Sequence, residues 1–155
     1  MTRAKGTSVI RPPPARKVVF DTNVYIAAIQ GGPQTQAHQL LLSALPRTYL
    51  SAVVAQELLS GAVDTVGERL VGRYIDRTER TGRVIAPTYE DWKEAGKVLA
   101  RIGRQDAGQR MRIPRLVNDV LLALCARQIG ATLYTLNRED FTLIVRYTRF
   151  ALQVL

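Results

Sequence analysis

Residues 18–24, VVFDTNV, give the clearest indication of how this 155-residue chain folds. Its three consecutive apolar residues predict a short strand that is buried on both faces. The strand ends at Asp21, and Thr22 and Asn23 are residue types that begin helices, here ahead of the apolar residues 24–29. A helix that opens directly at the end of a buried strand is typical of a parallel sheet with helical crossovers.

The alternation of strand and helix continues to the end of the chain. Further strands are predicted at 48–50, 84–86, 132–135 and 150–155, and helices at 34–44, 52–60, 64–80, 89–102, 114–128 and 139–146. Residues 104–112 are polar and contain glycine, which predicts a loop. The pattern indicates an α/β fold, with a mainly parallel sheet of about five strands covered by helices on both faces.

Residues 17–155 have the length of a single domain, since independent domains usually run to about 100–200 residues. Residues 1–16 carry four basic side chains and a run of three prolines, which predicts a flexible basic N-terminal extension. The N-terminus lacks the apolar core of a signal peptide, and no apolar stretch approaches the roughly 20 residues of a membrane span. Cys125 is the single cysteine and has no partner for an internal disulfide. We therefore expect a soluble, cytoplasmic protein with no membrane partner.

The charge balance favours a polyanionic partner. The chain has 22 basic and 13 acidic side chains and a net charge of +9, and 18 of the basic residues are arginine. The planar guanidinium group binds phosphates at two points, although GC-rich coding also favours arginine over lysine. Arg112 and Arg115 lie just before the predicted helix that contains Asp119, which makes them candidate RNA-backbone contacts. A solvated run of surface charge is the alternative interpretation.

Four acidic residues stand in unexpected places. Asp21 and Asp140 follow predicted strands, and ligands of α/β sheets bind at the carboxyl ends of strands. Glu57 and Asp119 lie within strongly apolar helical segments, where an ionised carboxylate is costly unless it is paired or binds a metal. If Asp21 is considered alone, a role as helix cap explains its position equally well. A single acid in an apolar helix could likewise be explained by a buried salt bridge to an arginine. The presence of two acids in apolar helices and two more near strand ends predicts that all four carboxylates form a single cluster.

A cluster of four carboxylates requires a cation, because like charges raise each other's pKa. Oxygen ligands select a hard divalent ion such as Mg²⁺ or Mn²⁺. With one histidine and one cysteine in the chain, a zinc site of the usual kind is nearly excluded.

Four motifs in order resemble those of PIN-domain ribonucleases, and most of all the VapC-type toxins of bacterial toxin–antitoxin pairs. The motifs are VVFDTNV (18–24), ELLSG (57–61), NDVLLA (118–123) and LYTLNREDF (133–141). The resemblance covers about residues 17–155. Each motif alone is weak, whereas all four at fitting intervals form a specific pattern.

The resemblance implies a PIN-like fold and a Mg²⁺- or Mn²⁺-dependent endoribonuclease. Such an enzyme hydrolyses RNA phosphodiesters with metal-activated water, and the expected products carry a 5′-phosphate and a 3′-hydroxyl. The metal ligands and catalytic residues would be Asp21, Glu57, Asp119 and Asp140. The residues expected to orient them are Thr22, Asn23, Asn118, Thr135 and Asn137. The choice between Asp119 and Glu57 as general base stays open.

The pattern departs from the family at Asn137, where many relatives carry aspartate. An amide brings no charge, so any second metal should be held less tightly there. Glu139 is adjacent, but Asp140 is the better match to the family's acid before phenylalanine.

The resemblance also implies a cognate antitoxin protein that directs a basic side chain toward the acidic site, and a homodimer. Two other functions compete with the RNA-cleaving toxin. A haloacid-dehalogenase-like aspartyl-phosphate phosphatase would need a second aspartate where the chain has Asn23, and a lysine near a later strand that the sequence does not supply. A catalytically inactive PIN-like RNA-binding protein is the other alternative, and the presence of all four acids argues against it.

Overall fold

The computed structural model describes residues 16–155, which form five strands and seven α-helices. The strands are β1 (Val18–Phe20), β2 (Thr48–Ser51), β3 (Val84–Ile85), β4 (Thr132–Thr135) and β5 (Ala151–Val154). The helices are α1 (Thr22–Gly31), α2 (Gln36–Ala44), α3 (Ala52–Gly61), α4 (Thr65–Arg80), α5 (Tyr89–Gln105), α6 (Ile113–Gln128) and α7 (Arg138–Ile144). Apart from Arg16, the predicted N-terminal extension 1–16 lies outside the described residues.

The five strands form one parallel sheet in the order β3-β2-β1-β4-β5. The chain first builds outward from β1 through β2 to β3, and then returns to the other side of β1 to add β4 and β5. The direction of winding therefore reverses between β1 and β4. A crevice at the carboxyl ends of strands at such a reversal is where α/β sheets bind ligands.

Helices cover both faces of the sheet. Val18, Val19 and Phe20 are at most 1% exposed, and every residue of β4 is buried. Because successive strand residues point to opposite faces, burial of all of them requires cover on each side. The predicted α/β fold with a parallel, helix-covered sheet is confirmed. Within residues 16–155 no helix is long and apolar enough to span a lipid bilayer.

The predicted loop at residues 104–112 is wrong in one respect. Helix α5 continues to Gln105, and Ala107–Arg112 form a 3₁₀ helix that leads into α6. The carboxylate of Asp106 accepts the backbone N–H of Gly108 at 3.1 Å, which caps this short helix. The Arg110 side chain donates to the Gly103 carbonyl at 3.0 Å and ties the segment back to α5. Local hydrogen bonds from side chains to the backbone can give a polar, glycine-containing segment a defined conformation that its composition does not predict.

Candidate active site

Asp21 lies at the carboxyl end of β1 and has both carboxylate oxygens occupied. Its Oδ1 accepts the backbone N–H of Thr22 at 2.7 Å and caps α1. Its Oδ2 accepts the Thr135 hydroxyl at 2.7 Å and the side-chain amide of Asn23 at 2.9 Å. Asp21 is only 5% exposed, and burial raises the pKa of its carboxyl although these hydrogen bonds lower it. The helix-cap interpretation is confirmed for Oδ1, while the role of Asp21 as a metal-site acid stays a prediction.

Asn23 and Thr135 join β1 to the segment after β4. The Asn23 side-chain oxygen accepts the backbone N–H of Leu136 at 3.1 Å. The Thr135 hydroxyl oxygen accepts the backbone N–H of Asn137 at 2.9 Å. These bonds hold Asn23 and Thr135 against Asp21, which is the placement that an orienting role requires.

Glu57 is held between two other helices. Its Oε1 accepts the Asn118 side-chain amide from α6 at 2.8 Å, and its Oε2 accepts the hydroxyl of Thr22 from α1. Thr22 therefore donates to two acids: its backbone N–H to Asp21 and its hydroxyl to Glu57. Asn118 brings α6, and with it Asp119, up to Glu57.

Asp119 lies on α6, a helix in which eight of sixteen residues are buried. Burial, followed by the negative charges of Asp21, Asp140 and Glu57, raises the pKa of Asp119 to about 8. A side-chain hydrogen bond with Asp140 contributes to the same rise. Charges separated by more than a few ångströms of protein and water have little effect on a pKa. The carboxylates of Asp21, Asp140 and Glu57 therefore lie near enough to Asp119 to raise its pKa.

Asp140 belongs to the first turn of α7 and pairs reciprocally with Asn137. The Asn137 side-chain oxygen accepts the Asp140 backbone N–H at 3.2 Å, and its amide nitrogen donates to Asp140 Oδ2 at 2.9 Å. Asn137 therefore caps α7 while it fixes the Asp140 side chain. An aspartate at 137 would bring a second negative charge to this position.

Arg112 was expected to contact RNA, and the structure places it inside the acidic cluster. Its guanidinium forms an ion pair with Asp140 through Nη2, and bonds Glu139 at 2.9 Å and Gln109 at 2.8 Å through Nη1. No sequence signal announces a pair between residues 28 positions apart. Arg115, three residues further along, is exposed at the start of α6.

The donors suit a hard divalent cation. All of the clustered groups are carboxylate oxygens, with amide and hydroxyl oxygens beside them, and one guanidinium does not balance four carboxylates. Within residues 16–155, however, no three acidic, histidine or cysteine side chains form a ready-made metal cage. Neighbouring donors already hold the oxygens of Asp21, Glu57 and Asp140. A cation would have to use the remaining lone pairs of these oxygens, displace some of the donors or turn the carboxylates.

A cavity of about 350 Å³ adjoins the acidic cluster and shares only Glu57 with it. Its walls come from α1, α3 and α4 and are mostly apolar, including Ile26, Leu58, Val66 and Leu70. Ile26 and Val66 are 41% and 64% exposed. The cavity therefore lies beside the acids and is distinct from the acidic cluster itself.

The comparisons with known proteins agree with this fold. The family model described as "PIN domain" matches residues 18–145, a range that includes all four acids. No curated protein matches the sequence.

Several solved structures share the fold at low sequence identity. A chain of VapBC2 from Rickettsia felis bound to a promoter DNA fragment has a TM-score of 0.60 and 20% identity, over 89% of this chain and 98% of that chain. A chain of DNA-bound VapBC from Salmonella typhimurium has a TM-score of 0.61 and 21% identity, over 90% and 98%. A chain of FitAcB from Neisseria gonorrhoeae has a TM-score of 0.56 and 21% identity, over 87% and 95%. At such identities the likeness is one of fold.

Asp119→Asn is expected to stabilise the metal-free protein at neutral pH. The folded protein keeps a proton on Asp119 up to a pKa of about 8, whereas the unfolded chain loses it near the ordinary value of 3.8. The free energy of unfolding of the wild type should therefore fall as pH rises from about 4 to about 8. Since Asp119 is partly exposed and water screens its charge, we expect a gain at pH 7 of about 1–3 kcal/mol.

Thermal melts in chelator between pH 4 and pH 8 measure this difference. Each kcal/mol should raise the melting temperature of the variant by roughly 2–4 °C, and its pH slope should be flatter than that of the wild type. A variant less stable than the wild type at pH 7 would show that Asp119 takes part in a favourable ion pair.

Proposed function

The chain belongs to the PIN-domain family, and from this premise we propose that it is an endoribonuclease that requires Mg²⁺ or Mn²⁺. PIN domains are generally nucleases. The observation that carries the proposal is the convergence of Asp21, Glu57 and Asp140 on Asp119, since an acidic cluster without a cation only destabilises the fold. The surplus of positive charge on the rest of the chain supports RNA as the substrate.

We propose that the four acids divide the work of holding the cation. Asp21 is the most rigid ligand, because three hydrogen bonds fix it at the end of β1. Both Glu57 oxygens already accept hydrogen bonds, so Asp119 is the better candidate to take a proton from the attacking water. A bound cation would favour the ionised form of Asp119 that this role needs. A bound divalent ion acidifies water and offsets charge on the phosphate under attack. Attack by water rather than by the 2′-hydroxyl would leave a 5′-phosphate and a 3′-hydroxyl.

The two alternative functions have less support. An aspartyl-phosphate phosphatase needs a second aspartate two positions after its nucleophile, and the chain has Asn23 two positions after Asp21. In this structure the Asn23 side chain instead donates to Asp21 and accepts the backbone N–H of Leu136. A catalytically inactive RNA-binding protein would not need to retain four mutually repelling carboxylates.

RNA cleavage should require the cation and the clustered acids. We expect EDTA to abolish cleavage of a single-stranded RNA, Mn²⁺ to restore it, and Glu57→Gln to lower the rate by at least about a hundred-fold, as loss of a charge-stabilising group does. Glu79→Gln makes the same change at an exposed position of α4 and should leave the rate unchanged. Gel assays with end-group analysis of the products measure this. Cleavage that survives EDTA, or a 2′,3′-cyclic phosphate product, would contradict the proposal.

Arg115 is proposed to contact the RNA backbone, since it is exposed at the start of the helix that carries Asp119. Arg115→Gln should weaken RNA binding by a similar factor for all sequences and lower the slope of log affinity against log salt by about one. Arg77→Gln removes an exposed arginine from the last turn of α4 and serves as the control. Anisotropy titrations at several salt concentrations measure both. Equal slopes for the two variants would return Arg115 to the solvated-surface interpretation.

We further propose that the chain is the toxin of a toxin–antitoxin pair, acting on cytoplasmic RNA. The VapBC structures that share its fold are complexes, as the FitAcB structure is. The apolar cavity beside Glu57 suits an antitoxin segment with apolar side chains and one basic side chain directed at Glu57. The homodimer implied by the family resemblance stays a prediction that light scattering can test.

Ile26→Asp should weaken binding of such an antitoxin while RNA cleavage persists. The substitution places a charge in the apolar wall of the cavity and leaves all four acids of the proposed metal site unchanged. Co-purification with the product of the adjacent open reading frame, compared with Leu42→Asp at an exposed position of α2, measures the effect. Equal co-purification of both variants would exclude the cavity as the docking surface.

A further inference from the structure

The Arg112–Asp140 pair is the most unusual feature of the acidic site. Arg112 is mostly buried, with 27% of its side chain exposed, and Asp140 is more buried still at 19%. The guanidinium also bonds Glu139 at 2.9 Å and Gln109 at 2.8 Å. It therefore contacts one acid of the proposed metal site and one acid outside it.

The segment before Arg112 is built to hold this position. Asp106 caps the 3₁₀ helix and Arg110 ties it to the end of α5, so the segment is anchored on both sides of Gly108. A surface arginine with a free main chain would gain little from an exposed pair. Here the main chain is fixed and the pair is partly desolvated, which makes the contact with Asp140 specific.

Arg112 occupies the oxygen that a cation would need. Asp140 Oδ1 accepts a hydrogen bond from the Arg112 guanidinium, and Oδ2 accepts one from the Asn137 side-chain amide. Each carboxylate oxygen has two lone pairs, so these two donors do not saturate Asp140. A divalent ion on Oδ1 would lie close to the guanidinium, and repulsion between the two positive groups favours the departure of Arg112.

Glu139 provides a place from which Arg112 can act after it leaves Asp140. The Glu139 side chain is 79% exposed, so its pair with Arg112 is weak and lies at the solvent edge of the site. A guanidinium that keeps Glu139 through Nη1 and leaves Asp140 has its Nη2 available for another acceptor beside the proposed metal. Its planar fork matches two oxygens of a phosphate.

We propose that Arg112 is an exchangeable counterion that neutralises Asp140 in the metal-free protein and moves to a phosphate of the RNA backbone when a divalent cation takes Asp140. The inference rests on the proposed function and deepens it. Metal and guanidinium compete for Asp140, whereas metal and RNA assist each other, because RNA draws Arg112 away from Asp140. By linkage the cation then strengthens RNA binding by the same factor by which RNA strengthens binding of the cation.

Mn²⁺ affinity without RNA is the first test, measured by calorimetric titration of the full chain at fixed pH. Arg112→Gln should bind Mn²⁺ tighter than the wild type by about five-fold or more, because the competitor is removed. Arg138→Gln is the matched control, since it removes the same charge two positions before Asp140 without a contact to that carboxylate. We expect it to change Mn²⁺ affinity by less than about two-fold.

The coupling between metal and RNA is the second test. The probe is a short labelled RNA with phosphorothioate linkages, titrated with and without Mn²⁺. Mn²⁺ should tighten RNA binding by the wild type and by Arg138→Gln by about five-fold or more, and this gain should disappear in Arg112→Gln. Arg112→Lys keeps the charge but not the fork that spans Glu139 and Asp140. Its Mn²⁺ affinity should lie between those of the wild type and Arg112→Gln.

The outcomes separate this inference from the proposed function. A wild type that binds no Mn²⁺ contradicts the metal-dependent nuclease and the exchange together. A wild type that binds Mn²⁺ and cleaves RNA, beside an Arg112→Gln variant with the Mn²⁺ affinity of Arg138→Gln, overturns the exchange alone. Weaker Mn²⁺ binding by a folded Arg112→Gln also overturns it, because Arg112 would then support the metal site. Melting curves confirm the fold of each variant, and Arg112→Lys carries the test if Arg112→Gln does not fold.

Discussion

The site depends on the parallel pairing of β1 with β4. Phe20 lies opposite Tyr134, and the Asp21 backbone N–H donates to the Tyr134 carbonyl at 2.9 Å, one residue beyond the end of β1. This bond brings Asp21 beside Thr135, whose hydroxyl then fixes the Asp21 carboxylate. Because side chains alternate along a strand, a register shift of one residue would turn this part of the sheet inside out. The same pairing places the reversal of sheet winding, and thus the crevice, at these two residues.

Near the paired ends of β1 and β4, the protein places several acidic side chains in partly buried positions, where a negative charge is costly. Desolvation is the first cause of the raised pKa of both Asp21 and Asp119. The compensation consists mostly of neutral donors, such as the hydroxyl and amide groups that hold Glu57, together with the one guanidinium of Arg112. Proteins break the rules of local consistency at functional sites and rely on the rest of the fold for stability. The fully buried strands β1 and β4 and the apolar helix α6 supply that stability here.

Much of the fold and the identity of the site acids follows from local pattern. Strand and helix positions come from apolar runs and cap residues, and these signals lie within a few residues of what they predict. The segment 104–112 was misjudged because its short helix depends on the side-chain bonds of Asp106 and Arg110 rather than on apolar periodicity. The four acids stood out because each interrupts a local expectation: two occupy apolar helices and two follow strands. These local patterns do not reveal which side chains form hydrogen bonds with each acid.

The α/β class, the parallel sheet and the PIN-like motif order follow from the sequence, which also predicts that four acids form one site. How these acids are held depends on the folded structure, because their partners come from distant parts of the chain. Asn118 reaches Glu57 across 61 residues, and Arg112 reaches Asp140 across 28. Periodicity and capping are short-range properties of the chain, whereas such pairs depend on the packing of whole helices against the sheet. For that reason Arg112, which the sequence left as either an RNA contact or a solvated surface charge, lies in the folded protein against Asp140, an acid of the proposed metal site.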